Sequence, residues 1–147
     1  MYVCKFQEGQ GLGNQLWNYV SIKAIACDSN KPFGVINLDL FKGKGFIDLD
    51  CQEISDLSKF KLYKEKLYFD EANNYISSEF DNEVYSLNGD FVLQGLFQSE
   101  KYIRNHLDNL DSFLSIKKSS TISLEKKCVL NIRGGEYKKH KDFILPK

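Results

Sequence analysis

The sequence lacks any uncharged apolar run approaching the ~18 residues of a membrane span, and its opening Met1-Tyr2-Val3-Cys4-Lys5-Phe6 lacks the apolar region of a signal peptide. Both absences lead to the expectation of a cytoplasmic protein. Net charge is also lacking: 20 Lys plus Arg balance 20 Asp plus Glu. No global field gathers nucleic acid or an anionic membrane, so an anionic ligand must be held by local groups. Paired cysteine spacing is missing too. Cys4, Cys27, Cys51 and Cys128 are scattered, without the close pairs that hold zinc or form a redox switch. Reduced thiols and no metal are the expectation. There is no internal repeat and no low-complexity tract, so neither a solenoid nor a disordered tail is indicated.

What is present suits one folded core. The chain has 147 residues, 42% of them hydrophobic and 14% aromatic, enough apolar surface for a single domain. Residues Tyr2 to Gln7 place Tyr2, Cys4 and Phe6 on one side and Val3 on the other, the pattern of an opening strand that ends in the glycine-rich turn Gly9 to Gly13. From Leu12 the positions Leu12, Leu16, Val20 and Ala24 recur at helical spacing, joined by Tyr19 and Ile22. Asn14, Asn18 and Ser21 fall on another face, which predicts an amphipathic helix to about Asp28. Asn30-Lys31-Pro32 breaks it, and Phe33 to Leu38 supplies a second strand, parallel to the first. A doubly wound α/β domain is the simplest continuation.

From Phe41 to Tyr85 aromatic residues alternate with charged ones without a sustained period, and no element is predicted. Order returns at Phe91-Val92-Leu93-Gln94-Gly95, a strand, followed by Ser99 as the cap of a helix that begins near Glu100 and keeps Ile103, Leu107, Leu110 and Leu114 at helical spacing. A polar connector, Ser115 to Lys127, leads to another strand, Cys128 to Ile132, and a loop starting at Arg133-Gly134-Gly135-Glu136-Tyr137. With Pro146 close behind, the chain is expected to stop short of a complete second unit.

Two constellations carry chemistry. Glycines between a strand and a helix free the first helical amides to face an anion, favoured by the helix dipole. Gly11, Gly13, Asn14 and Gln15 are therefore candidates for phosphate binding, against the simpler alternative of a tight turn with Asn14 at a helix end. A triphosphatase loop is excluded, because Gly13 is followed by Asn14 and Gln15 rather than Lys and Ser or Thr. A dinucleotide fingerprint starting at Gly9 and Gly11 would have Asn14 in place of its last glycine and Asp39 beside the end of the second strand. It stays open as an alternative. The second constellation is Arg133 at a strand's carboxyl end, where ligands of open α/β sheets collect and a guanidinium grips phosphate. Glu136 would orient it or serve as acid or base. Lys138-Lys139-His140-Lys141 reads as a solvated face, and His106, without a neighbouring carboxylate in sequence, as an ordinary helix residue.

Three segments together resemble the ordered motifs of the bacterial alpha-1,2-fucosyltransferases: Gly11-Leu12-Gly13-Asn14-Gln15-Leu16, Leu93-Gln94-Gly95-Leu96-Phe97-Gln98-Ser99-Glu100-Lys101-Tyr102, and Asn131 to Tyr137. Phe41-Lys42-Gly43-Lys44 is similar in character. The resemblance spans the chain but only the front half of a typical member. It implies a GT-B enzyme with two Rossmann-like domains. Fucose would move from GDP-fucose to a galactose hydroxyl of a glycan with inversion and no obligatory metal or other cofactor. Residues 1–126 would form the N-terminal, acceptor-side domain and 127–147 the first strand and loop of the donor-binding domain. The late motif is similar to the family's His-x-Arg-Arg-Gly-Asp-Tyr signature. Here Asn131 replaces the His, Gly134 the second Arg and Glu136 the Asp, and Trp17 stands where Phe is usual.

By this resemblance Arg133 and Glu136 would be catalytic, and Gly11, Gly13, Asn14, Gln15 and Arg133 would bind the donor. Gln98, Ser99 and Glu100 would line the cleft. The partners implied are a GDP-sugar and a galactose-containing glycan, with peripheral membrane association through a lipid-linked acceptor and self-association both compatible. A chain that binds glycan or a partner protein without transferring sugar is the rival expectation.

Overall fold

The computed structural model describes residues 1–70 and 75–117. The expected strand at 128–132, the Arg133 loop and the whole 127–147 unit lie outside the described residues. Nine strands are described: β1 (Tyr2–Lys5), β2 (Phe33–Ile36), β3 (Ile47–Leu49), β4 (Gln52–Glu53), β5 (Lys61–Lys64), β6 (Leu67–Asp70), β7 (Tyr75–Ser78), β8 (Phe91–Gln94) and β9 (Leu114–Ile116). One α-helix, α1 (Leu12–Asp28), follows β1. Five strands form a wholly parallel sheet in the order β4-β2-β1-β8-β5, while β3-β9 and β6-β7 are two small antiparallel ladders. The fold is therefore α/β around a parallel sheet.

The opening unit is the one expected, with β1 and β2 parallel and Tyr2 opposite Phe33. Helix α1 ends as Asn30-Lys31-Pro32 demands. Asn30 takes the left-handed conformation (φ 51°), its amide donates to Cys27 O at 3.0 Å, and the Lys31 amide donates to Ala26 O at 2.8 Å. This six-to-one closure satisfies the last carbonyls and aims the chain at Pro32 and β2.

The alternation of β1 also holds. Tyr2, Cys4 and Phe6 belong to the main core with Tyr19, Ile22, Ile25, Val35 and Leu93, whereas Val3 packs on the opposite face with Ile36 and Val92. Among the described residues, α1 covers the first face, and Ile54 and Phe60 pack against the small cluster on the second.

Three expectations need correction. Asn18 and Ser21 are buried, while Leu12, Leu16 and Val20 are only half-buried, so the core-facing side of α1 is rotated from the apolar stripe. The reason is that backbone carbonyls of neighbouring loops meet polar side chains of the helix; Ser21 Oγ, for example, donates to Phe97 O at 2.9 Å.

The segment after Ser99 is not α-helical. It forms 3₁₀ turns at Glu100–Tyr102 and Arg104–Ser112, interrupted at Asn109, and leaves Leu107 55% exposed. Asp, Asn and Ser crowd this stretch and compete for its backbone, as Ser112 Oγ does by donating to Asn109 O at 2.8 Å. Leu114 belongs to β9 rather than to the helix.

The unreadable middle supplies β5, which pairs with β8 from Lys61 opposite Phe91 to Lys64 opposite Gln94 and lies at the end of the sheet order. Among the described residues no helix is long and apolar enough to cross a membrane.

Candidate functional site

The carboxyl ends of β1, β5 and β8 converge on a crevice of about 290 Å3 lined by Gln7, Lys64, Glu65, Leu67, Gln94, Gly95 and Leu96. It lies at the strand ends where parallel sheets bind ligands, and the turn that leaves β1 there leads directly to the N-terminus of α1. Only Gly9 in that turn needs a glycine's backbone, at φ 77°. Gly11 is the extended N-cap residue (φ −69°, ψ 152°), and a Cβ at Gly11 or Gly13 would meet nothing within 4 Å. Internal packing thus does not require these two glycines. Among the described residues they leave the first turn of the helix open from outside, with no side-chain cap at Gly11 and no acidic residue in that turn.

Asn14 and Gln98, drawn from two distant segments, meet at this helix end. Gln98 Nε2 donates to Asn14 Oδ1 at 3.0 Å, on the exposed surface. Gln15 is used differently: it is fully buried, its Nε2 donates to Leu40 O at 2.9 Å, and its Oε1 accepts from the Lys42 amide at 2.9 Å. The side chain fastens α1 to the turn after β2, which leaves it no face for a ligand. Asn18, one turn below Asn14, is buried with its Oδ1 unpartnered among the described residues. Ser99 caps its 3₁₀ turn as expected, its Oγ accepting from the Lys101 amide at 3.4 Å, so its hydroxyl is committed locally. Glu100 is exposed and 4.0 Å from Arg104. Arg133 and Glu136 lie outside the described residues.

Sequence reasoning missed the residue that shapes the crevice. Glu65 is 6% exposed; its Oε2 accepts from the Leu96 amide at 2.7 Å and the Phe97 amide at 2.8 Å, and its Oε1 from Ser78 Oγ at 2.5 Å. Ser78 Oγ in turn accepts from the Gln98 amide at 3.2 Å. The loop so held carries Phe97 in the left-handed region (φ 45°), a costly conformation for a bulky residue. That turn aims Phe97 O at α1, where it accepts from Trp17 Nε1 at 2.6 Å and from Ser21 Oγ. The legible signal was Gly95, since a glycine at a strand end marks close approach of another group. Also missed was the carboxylate beside His106: Nε2 lies 2.9 Å from Asp28 Oδ1 and joins the 3₁₀ segment to the end of α1.

A larger cavity, about 450 Å3, lies off the sheet beside β6, with Lys66, Asp81 and Glu83 among its lining residues. Three of its charged groups are engaged with partners. Lys66 pairs with Glu83 at 2.6 Å, and Asp81 accepts from Tyr63 Oη at 2.5 Å. Burial, and then the neighbouring Asp81 carboxylate, pushes the Tyr63 phenol up. This cavity is less suited to chemistry than the strand-end crevice, which adjoins an uncapped helix terminus. Searches of protein-family models, curated proteins and solved structures found no match to this chain.

Proposed function

We propose that the chain is the acceptor-side portion of an inverting glycosyltransferase that moves fucose from GDP-fucose to a galactose hydroxyl. The carrying observation is the 3.0 Å bond between Asn14 and Gln98, residues 84 apart, which brings together two of the three segments resembling the fucosyltransferase motifs at the strand-end side of the sheet. The finer assignment, a Rossmann-like domain of a GT-B enzyme, belongs to the same proposal and accords with the β1–α1–β2 parallel unit.

In the reaction the acceptor oxygen bonds to the anomeric carbon as the bond from that carbon to the diphosphate breaks. GDP departs with the bonding pair, and the hydroxyl proton passes to a base. Negative charge grows on the leaving diphosphate, and the uncapped amides at Gly11 to Asn14 are groups able to stabilise it, with Arg133 in the same role from the late motif. Glu136 is the proposed base or the partner that orients Arg133. A non-transferring glycan binder is the alternative outcome of the test.

The test is GDP binding by calorimetry, with GDP-fucose turnover measured on galactosides, for the chain and for Arg133→Ala, both alone and in a two-domain homologous enzyme. The expected result is GDP binding weakened by Arg133→Ala, with transfer confined to the two-domain form. Absence of GDP binding in both forms would overturn the proposal, and unchanged affinity and turnover would remove Arg133 from it.

A further inference from the structure

Beside the helix terminus lies a second concave surface. Gly13, Leu16, Trp17, Val20 and Ser21 of α1 face Ile103 and Leu110 of the 3₁₀ segment across a groove of about 280 Å3. That is close to the ~300 Å3 lower bound of small-ligand sites. Its walls are apolar except for Ser21, whose hydroxyl is turned to Phe97 O. The indole of Trp17 is half-buried and fixed, because its only N–H donates to Phe97 O at 2.6 Å. What it has left to offer is ring surface. Gly13 adds no side chain, and a Cβ there would meet nothing, so this end of the groove stays open.

Next to that ring lies the amide pair. Asn14 adjoins Gly13 and stands three residues before Trp17 on the helix, while Gln98 adjoins Phe97, the residue that fixes the indole. Their mutual bond consumes one donor of Gln98 and one acceptor position of Asn14. Among the described residues the Asn14 Nδ2 donors and the Gln98 Oε1 acceptor have no other partner, and both residues are exposed. The Gln98 amide is held by Ser78 Oγ, and both amide side chains restrain each other, so little ordering is left for binding.

We infer that this groove binds a pyranose ring of a glycan, with a C–H face on the Trp17 indole and vicinal hydroxyls on the Asn14–Gln98 pair. A galactopyranoside fits best: its axial O4 turns to one face of the ring and gathers H3, H4 and H5 on the other as one continuous C–H patch, which the equatorial O4 of a glucopyranoside does not do. The inference deepens the glycosyltransferase reading and rests on it for the choice of sugar. It puts the acceptor on one side of Asn14 and the open helix amides, proposed for the diphosphate, on the other. A hydrocarbon chain would use the walls but leave the amide pair idle, and a free phosphate would use the helix end but leave the indole idle.

Trp17 is the single tryptophan of the chain, so its emission reports on the groove directly. The chain is titrated with methyl β-galactoside, lactose, methyl α-glucoside and GDP, and compared with the Asn14→Ala, Gln98→Ala double variant. The expected result is a saturable change in emission with the galactosides, ~10-fold weaker for the glucoside and for the double variant, a difference of ~1.4 kcal/mol. Unchanged emission with every sugar, or an equal response in wild type and double variant, overturns the inference. A parallel calorimetric titration with GDP separates the two ideas. Galactoside binding with no GDP binding by either the chain or the two-domain homologous enzyme keeps the groove and removes the transferase, whereas GDP binding with silent Trp17 emission does the reverse.

Discussion

Glu65 and Gly95 occupy one space: a Cβ added to Gly95 would overlap both the Cβ and the Oε2 of Glu65. The overlap involves the root of the glutamate side chain as well as its tip, so a rotamer change alone does not relieve it. Moving the carboxylate would also release the Leu96 and Phe97 amides it accepts from. Gly95→Ala is expected to destabilise the chain by ~1–3 kcal/mol, the usual cost of overpacking. Urea unfolding checks this, and an unchanged midpoint would mean that the strand end has room the geometry denies it.

Glu65 itself distinguishes loss of charge from loss of the acceptor. Glu65→Ala leaves two loop amides and Ser78 Oγ without their partner, whereas Glu65→Gln keeps an oxygen for the amides. Hydrogen bonds to a charged group contribute ~1.5–3 kcal/mol, so Glu65→Ala is expected to lose at least that and Glu65→Gln clearly less. Amide exchange at Leu96 and Phe97 should quicken in both, most in the alanine variant. Equal destabilisation by both substitutions would assign the effect to the charge alone.

Local sequence made the opening unit legible because its signals are local: alternation in β1, a left-handed Asn30 before Pro32, and β-rich runs at Phe33 and Phe91. The region from Phe41 to Tyr85 was not legible because long-range polar ties organise it. Tyr19 Oη bonds the carbonyls of Asp50 and Phe113, Tyr2 Oη those of Val84 and Leu87, and the Asp81 amide donates to Tyr102 Oη. Such tyrosines read as core in a periodicity scan, and their hydroxyl partners have no sequence signature.

The site shows the same division. The motifs named Asn14 and Gln98, and the structure joined them. It gave Gln15 an internal task, and it supplied Glu65 from just past β5, a strand bounded by Lys61 and Lys64 in the stretch where no element is predicted. Lysines suit a strand at the edge of a sheet, which is where β5 lies among the described strands.

Asn14 and Gln98 bond on the surface, and neither side chain supports the core. Asn14→Ala, Gln98→Ala and the double variant are each expected to change stability by less than ~0.5 kcal/mol. Thermal unfolding checks this. The result matters for function, because any loss of sugar or GDP binding in a variant of unchanged stability reports on the site rather than the fold. A loss above ~2 kcal/mol would mean that the pair is a structural clasp of the kind Gln15 makes.

The buried and half-buried tyrosines set how the chain meets alkali. Burial pushes the phenols of Tyr2, Tyr19, Tyr63, Tyr85 and Tyr102 up, that of Tyr85 to about 12. In the unfolded chain the same groups titrate near 10. Below that pH both states keep the phenolic protons and stability is unaffected by them. Above it the unfolded state sheds protons that the folded state retains, so stability falls as pH rises through the folded values. Phenolate absorbance should therefore show a late fraction, from these five groups, that appears together with the loss of circular dichroism. If every phenol titrated reversibly near 10 with the dichroism intact, the hydroxyls of Tyr2 and Tyr19 would be open to water, and the ties that hold the irregular middle to the sheet would not be those described.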